Sequence, residues 1–379
     1  MNTWKILGEL KPVMLMVLVQ IAYASSNVFY KILINDGMSI RVVTSYRLIF
    51  GAAFSFPLAL VLERKNKPKL TWRVFFMSFS CGLFGGSLFQ NLFFTALALV
   101  SATFASAVFN LVPLITFILA ILCRLEMLNM GTIAGKVKIL GTITGVIGSM
   151  ILIFFKGAEI NIWKVHVNLL HGNQNNSNTG TTNSDSIKKV VGVLCALGSC
   201  FSFSLWLIIH AKMTKEYPSY YSSTTLMNLM GAIQATIFAL CVEKDWSQWK
   251  LGWSFRLLTV AYLGIVTSGL VFILTAWCVR KKGPVYASAF NPLNLLIVAI
   301  VASLLLDETL YLGSVIGGVL IVGGLYMVLW GKSKETNFIA HEFEGSTEVV
   351  VMSSMTTDHD LVTAATIAAP KTRRNFIVK

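Results

Sequence analysis

The chain has 379 residues, 55% of them hydrophobic and only 13% charged, with a mean hydropathy of +0.70. Soluble globular proteins carry roughly 25% charged residues, so the composition excludes a soluble domain and describes a polytopic membrane protein. The formal net charge of +14 would suit a nucleic-acid binder only if the basic residues shared one soluble face; they are spread over loops between apolar runs, which excludes that class.

A membrane span needs roughly 20 mostly apolar residues, and ten stretches qualify, at 12–34, 42–62, 74–97, 103–123, 137–155, 190–209, 220–242, 257–278, 285–306 and 313–330. Residues 1–11 precede them as a short cytosolic N-terminus. Ala22-Tyr23-Ala24 in the first span looks like a signal-peptide cleavage site. The apolar run continues from Val28 to Ile34, however, and predicts an uncleaved helix. Lys31, near the end of that span, has a stem long enough to snorkel to headgroups. Arg47, a turn or more inside the second span, cannot lose its proton and must face a partner or a wet cavity. A substrate carboxylate, a structural ion pair and a gate all answer that need.

In the third span Ser87, Asn91 and Thr95 share a face with Gln90 beside them. In the fourth, Thr103, Ser106, Asn110 and Pro113 share a face, and Pro113 has no amide hydrogen for the carbonyl of Phe109. The eighth span carries Phe272, Ile273 and Trp277 where the third is polar. The ninth repeats the theme of the fourth with Ser288, Asn291, Pro292 and Asn294, Pro292 freeing the carbonyl of Ser288. A broken helix with a free carbonyl beside an amide side chain is one way to build a polar site at mid-membrane. Paired packing kinks held by interhelical hydrogen bonds are the alternative. Glu126 and Glu308 stand at equivalent places after the fourth and ninth spans, where capping of the next helix competes with proton coupling beside Asp307. Gly141, Gly145, Gly313 and Gly317 read as close-packing faces of the fifth and tenth spans.

Residues 156–189 form a flexible polar linker, and Asn175-Asn176-Ser177 within it makes Asn175 a candidate glycosylation site. Residues 331–379 carry mixed charge without apolar periodicity and read as a disordered cytosolic tail. With the N-terminus cytosolic, the inner loops gather Arg64, Lys65, Lys67, Lys69, Arg280, Lys281 and Lys282. This obeys the positive-inside rule, puts the linker outside, and makes anionic inner-leaflet lipid the partner of the basic excess. The six cysteines fall in or at the ends of spans without zinc-ligand spacing; they read as packing residues, and no metal is expected.

Gly82, Leu88, Ala105, Ser106, Ala107 and Glu126 line up without a gap on Gly264, Leu270, Ala287, Ser288, Ala289 and Glu308. After a shortened loop the match resumes between Leu140-Gly141 and Leu312-Gly313. The chain is thus duplicated, as residues 12–155 and 190–330. Five spans per copy force the second copy to sit upside down in the membrane, the arrangement of secondary transporters. Enzymatic chemistry finds no purchase. The nearest approach to a phosphate-binding loop, Gly331-Lys332-Ser333, has Tyr326 where the first glycine belongs, and neither a His-Glu metal helix nor a nucleophile elbow occurs. No cofactor is expected.

The runs from Thr95 to Leu128 and from Gly283 to Lys332, with the Tyr46-Arg47 pair, Asn110, Pro113, Glu126, Pro292 and Glu308, resemble the plant nodulin-21-like, or walls-are-thin-related, branch of the drug/metabolite transporter superfamily with its two EamA repeats. The resemblance covers about residues 10 to 334. It implies an all-α carrier of ten transmembrane helices, both termini cytosolic, with a substrate site between the repeats formed largely by helices three, four, eight and nine. It also implies a facilitator of amino-acid movement. Gln90, Asn91, Asn110, Pro113, Trp277, Asn291, Pro292 and Asn294 are then the expected substrate contacts, and Lys31 and Arg47 the charge or gate residues. Three readings follow: a plasma-membrane facilitator of neutral amino acids, a vacuolar carrier of auxin-like acids stacking on Phe272 and Trp277, or a membrane transceptor or scaffold. The expected partners are a small-molecule substrate and the lipid bilayer, with a homodimer as a further option and no nucleic acid.

Overall fold

Inside a bilayer every backbone N–H and C=O needs a partner within the chain, so apolar runs of this length resolve as helices. The computed structural model describes residues 3–63, 70–100, 102–126, 131–155, 159–160, 183–251, 255–305 and 310–356. The first repeat comprises α1 (Thr3–Asn35), α2 (Ile40–Leu62), α3 (Trp72–Cys81), a π-helical stretch (Gly82–Leu88), α4 (Phe89–Leu99), α5 (Ala102–Phe109), α6 (Val112–Leu122) and α7 (Ile133–Phe154). The second comprises α8 (Asn183–Glu216), α9 (Tyr220–Val242), a 3-10 turn (Trp246–Trp249), α10 (Phe255–Tyr262), a second π-helical stretch (Leu263–Leu270), α11 (Val271–Lys282), α12 (Pro284–Ala289), α13 (Asn291–Leu305) and α14 (Leu312–Thr356). Among the described residues, 9 helices are long and apolar enough to cross a membrane, and Pro284–Ile300 is a shorter apolar helix in the place of the remaining span. The protein is an all-α membrane protein of two inverted five-helix repeats. Strands β1 (Glu159–Ile160) and β2 (Leu310–Tyr311) pair antiparallel and join the exit of the fifth span to the entrance of the tenth.

Both expected helix breaks are present. The fourth span stops at Phe109, turns through Asn110 and Leu111 and restarts at Val112, with Pro113 in the first turn of α6, where a missing amide hydrogen costs little. The ninth span breaks at Phe290 between α12 and α13. A single residue, Gly283 with φ 92°, joins α11 to α12. Only glycine takes that conformation without strain, and Pro284 then starts the helix with φ already set.

The two π-helical stretches occupy the same place in the two repeats, and each packs against the opposite repeat. A Cβ on Gly82 would lie 2.5 Å from the nitrogen of Gly231 on α9. One on Gly264 would lie 2.9 Å from the carbonyl oxygen of Arg47 and 3.3 Å from the nitrogen of Gly51, both on α2. Ser202 of α8 donates to the carbonyl of Phe84 in the first π stretch at 2.9 Å, and Ser26 of α1 is hydrogen-bonded to Thr267 in the second at 2.5 Å. A π turn displaces carbonyls from their usual partners; in the first stretch the Ser202 hydroxyl reaches one, and in the second Ser26 meets the Thr267 hydroxyl.

The same exchange closes both ends of the bundle. Where α2 ends, the Glu63 carboxylate accepts from the backbone nitrogens of Tyr221 (3.1 Å) and Ser222 (2.9 Å) and from Ser222 Oγ (2.5 Å), capping α9. A negative charge is favoured at that helix start. At the opposite end Gln248 accepts from the backbone nitrogen of Ser39 at 2.9 Å, Tyr46 donates to the Trp249 carbonyl at 2.7 Å, and Arg256 pairs with Asp36. The turn carrying Gln248 and Trp249 is capped by Asp245, whose bonds from the Ser247 hydroxyl and nitrogen hold its carboxyl below the usual carboxylate range.

α14 continues to Thr356, whereas the tail was expected from 331. A helix already nucleated in a span extends through Lys, Glu and Ala at little cost. Residues 1–331 form one compact unit and 332–379 a second; 357–379 lie outside the described residues.

Candidate membrane-embedded site

Two small cavities lie within the bundle. The first is bounded by Met16, Val19, Gln20 and Tyr23 of α1, Phe203, Trp206 and Leu207 of α8, Thr275 of α11, Ala287 of α12 and Asn291 of α13. The second is bounded by Pro113, Gly141, Thr142, Gly145, Ala289, Pro292, Ile321, Gly324, Leu325 and Val328. Each has free room of about 10 Å³, enough for about one water molecule and far below the roughly 300–1,000 Å³ of small-molecule sites.

Two polar groups in the lining of the first cavity are unsatisfied. Thr275 Oγ1 and Asn291 Nδ2 are buried without a hydrogen-bond partner. Gln20 is 1% exposed. Elsewhere in the bundle, Arg47 of α2 is 4% exposed with Nε unpartnered. Since buried polar groups are nearly always paired, Thr275 and Asn291 make the first cavity a candidate site. Trp206 forms one wall; its Nε1 donates to Met227 Sδ at 3.1 Å, and its ring stacks on buried His210 at 5.4 Å. A second unsatisfied pair sits on the α9 side of the π stretch: Asn228 donates to the Ser268 carbonyl at 2.8 Å, while Asn228 Oδ1 and Ser268 Oγ have no partner.

The expected substrate residues separate into groups. Asn291 lines the first cavity, whereas Pro113 and Pro292 meet in the second, against glycines of the fifth and tenth spans. Asn110 lines neither, and its amide returns to the Ser106 carbonyl of its own helix at 2.8 Å. Asn91 likewise donates to Ser87 at 2.8 Å. Gln90 accepts from Thr44 at 3.0 Å and exchanges hydrogen bonds with Tyr30 at 3.2 and 3.3 Å. These three amides thus bond within the protein, because an amide in hydrocarbon takes the nearest carbonyl or hydroxyl. Trp277 lies under the Lys11 ammonium, 5.6 Å from its ring centre, outside both cavities. Asn294 Oδ1 is buried without a partner.

At the start of α7 Thr132 accepts from the Gly135 nitrogen at 3.3 Å, and Glu126 forms an ion pair with Lys138 of that helix at 2.8 Å, both side chains 1% exposed. The side chain of Lys31, and Glu308 and Asn175 altogether, lie outside the described residues. Sequence reasoning passed over Gln20, Tyr23, Phe203, Trp206, Thr275 and His210. Gln20 and His210 carried a signal, as polar groups within apolar runs; the rest are ordinary span residues that only packing gathers.

The EamA-like transporter family matches this chain twice, over residues 10–155 and 190–330. Two WAT1-related proteins of Arabidopsis thaliana are 45% and 43% identical over 326 residues, covering 86% of this chain and 91% of each relative. A crystal structure of another protein, 16% identical, superposes with a TM-score of 0.63 over 84% of this chain and 96% of its own, and so shares the fold. The duplicated sequence, the inverted repeats and these matches agree that the chain belongs to the EamA-like transporter family and is a membrane transporter.

Proposed function

We propose that the protein is a bidirectional facilitator of amino acids, working by alternating access at the plasma membrane, with both termini cytosolic and residues 156–189 outside, Asn175 glycosylated. The observation that carries the substrate class is Arg47. A permanent cation, 4% exposed and with Nε unpartnered, is costly in a membrane unless a carboxylate visits it. Near-equivalent inverted repeats supply two states of similar energy, and no acidic residue deep in the spans offers a proton relay, so solute moves down its own gradient.

Counterflow in proteoliposomes tests this. Labelled glutamine enters vesicles preloaded with unlabelled glutamine, at a rate insensitive to an imposed pH gradient. Arg47→Lys slows exchange about tenfold or more, because an ammonium replaces a two-pronged planar donor. An amidated amino acid competes poorly with the free acid at the parental protein and equally at the variant. Unchanged discrimination in Arg47→Lys would remove Arg47 from the site. The aromatic wall of Tyr23, Phe203 and Trp206 favours one second reading, an indole carboxylate of the auxin type, which would then outcompete glutamine in the same vesicles.

A further inference from the structure

We infer that the cavity between α1, α8, α11 and α13 is the pocket for the side chain of the transported amino acid, and that Trp206 is its specificity-determining wall, admitting neutral apolar or aromatic side chains and refusing charged ones. This rests on the transport reading above and assigns a part to residues outside it.

Three observations carry it. The lining contains no Lys, Arg, Asp or Glu, so a charged side chain entering it would lose its hydration with nothing in return. Trp206 is held rigid: it is 1% exposed, its N–H is committed to Met227 at 3.1 Å, and Phe272 backs the ring at 5.2 Å. Its place over the first π stretch exists because residue 85 is glycine; a Cβ there would collide with the indole. A fixed aromatic surface discriminates by shape and by its π face. Finally, the lining also holds polar groups that are unfinished. Thr275 is 3% exposed, and its Oγ1, like Asn291 Nδ2, lacks a partner. Those two groups are positioned to hold the polar end of a substrate whose apolar part faces Trp206.

The test pairs binding with transport in the full-length protein. Thermal unfolding in detergent is followed with L-phenylalanine, L-leucine, L-glutamate and L-lysine as probes, since a ligand that binds only the folded state raises Tm with its concentration. Phenylalanine and leucine raise Tm, and glutamate and lysine do not. Thr275→Val, which keeps shape and removes the hydroxyl, weakens the response about fivefold or more in concentration. Trp206→Phe lowers the phenylalanine-to-alanine ratio in counterflow by roughly tenfold. Should that variant fail to fold, Thr275→Val decides the matter alone. Glutamate stabilising as well as phenylalanine, or both variants behaving as the parent, would overturn the pocket. Counterflow without selective stabilisation overturns the pocket and leaves the transport reading standing. Selective stabilisation without counterflow does the reverse.

Discussion

Two buried cations meet the membrane differently. Lys138 is neutralised by Glu126 at 2.8 Å with both side chains 1% exposed, and it runs past Gly331, where a Cβ would lie 2.7 Å from Lys138 Cγ. Removing one member of such a pair strands the other charge, at a cost of about 3–5 kcal/mol, whereas replacing both with apolar residues is often neutral. Glu126→Gln is therefore expected to lower thermal stability in detergent sharply, and the double variant Glu126→Leu/Lys138→Met to recover most of it. Arg47, with Nε unpartnered, has no such dependence. Arg47→Met keeps or raises stability while abolishing exchange, a separation that thermal unfolding and counterflow measure together.

Among elements, the close helix contacts are made by particular glycines. A Cβ on Gly51 would lie 2.6 Å from Ser268 Cβ, and one on Gly141 would lie 2.7 Å from the Gly324 carbonyl oxygen. By contrast, Gly145 and Gly323 would place theirs with nothing within 4 Å. Gly51→Ala and Gly141→Ala force helix axes apart and are expected to cost about 1–3 kcal/mol each, the usual cost of overpacking. Gly145→Ala and Gly323→Ala are tolerated, with a small gain from helix propensity. The amount of folded protein recovered from membranes after heating ranks the four. In sequence Gly141 and Gly145 look alike on one helical face; the difference is that the Cβ direction of Gly141 runs into the α14 backbone whereas that of Gly145 points into open space.

At the scale of the molecule, the repeats are interlocked by exchange. α1 and α2 grip the second π stretch, α8 and α9 grip the first, and each of α2 and α9 is capped by a residue that follows the other. Opening one end of such an assembly means releasing the closures at that end only. Hydrogen bonds to a charged group are worth about 1.5–3 kcal/mol, so Glu63→Gln shifts the balance toward the state open at the Glu63 end by roughly tenfold or more. A cysteine placed at Thr275 in a chain stripped of its own cysteines reports this: thiol labelling from that end rises in Glu63→Gln. Labelling from the opposite end rises instead in Tyr46→Phe, which releases Trp249. Equal labelling from both ends in both variants would mean that the caps are packing contacts without influence on opening.

Much of this architecture was legible in the sequence. Span number, the duplication and the breaks near Asn110 and Phe290 follow from constraints acting along the chain: about 20 apolar residues to cross hydrocarbon, an odd span count per repeat, and a proline without an amide hydrogen. The helix ends were less secure, since α14 runs to Thr356 where composition alone suggested a tail from 331. The polar groups were visible one by one, but their partners were not. Asn110 and Asn91 bond to their own helices and Gln90 to Tyr30 and Thr44, while Asn291 meets Thr275 and Trp206 at one cavity. Helical periodicity says which side chains share a face, and it is silent on which neighbouring helix that face meets. Whether a buried amide, cation or glycine serves packing or a ligand depends on that neighbour, and in this protein the crossing of the two repeats decided it.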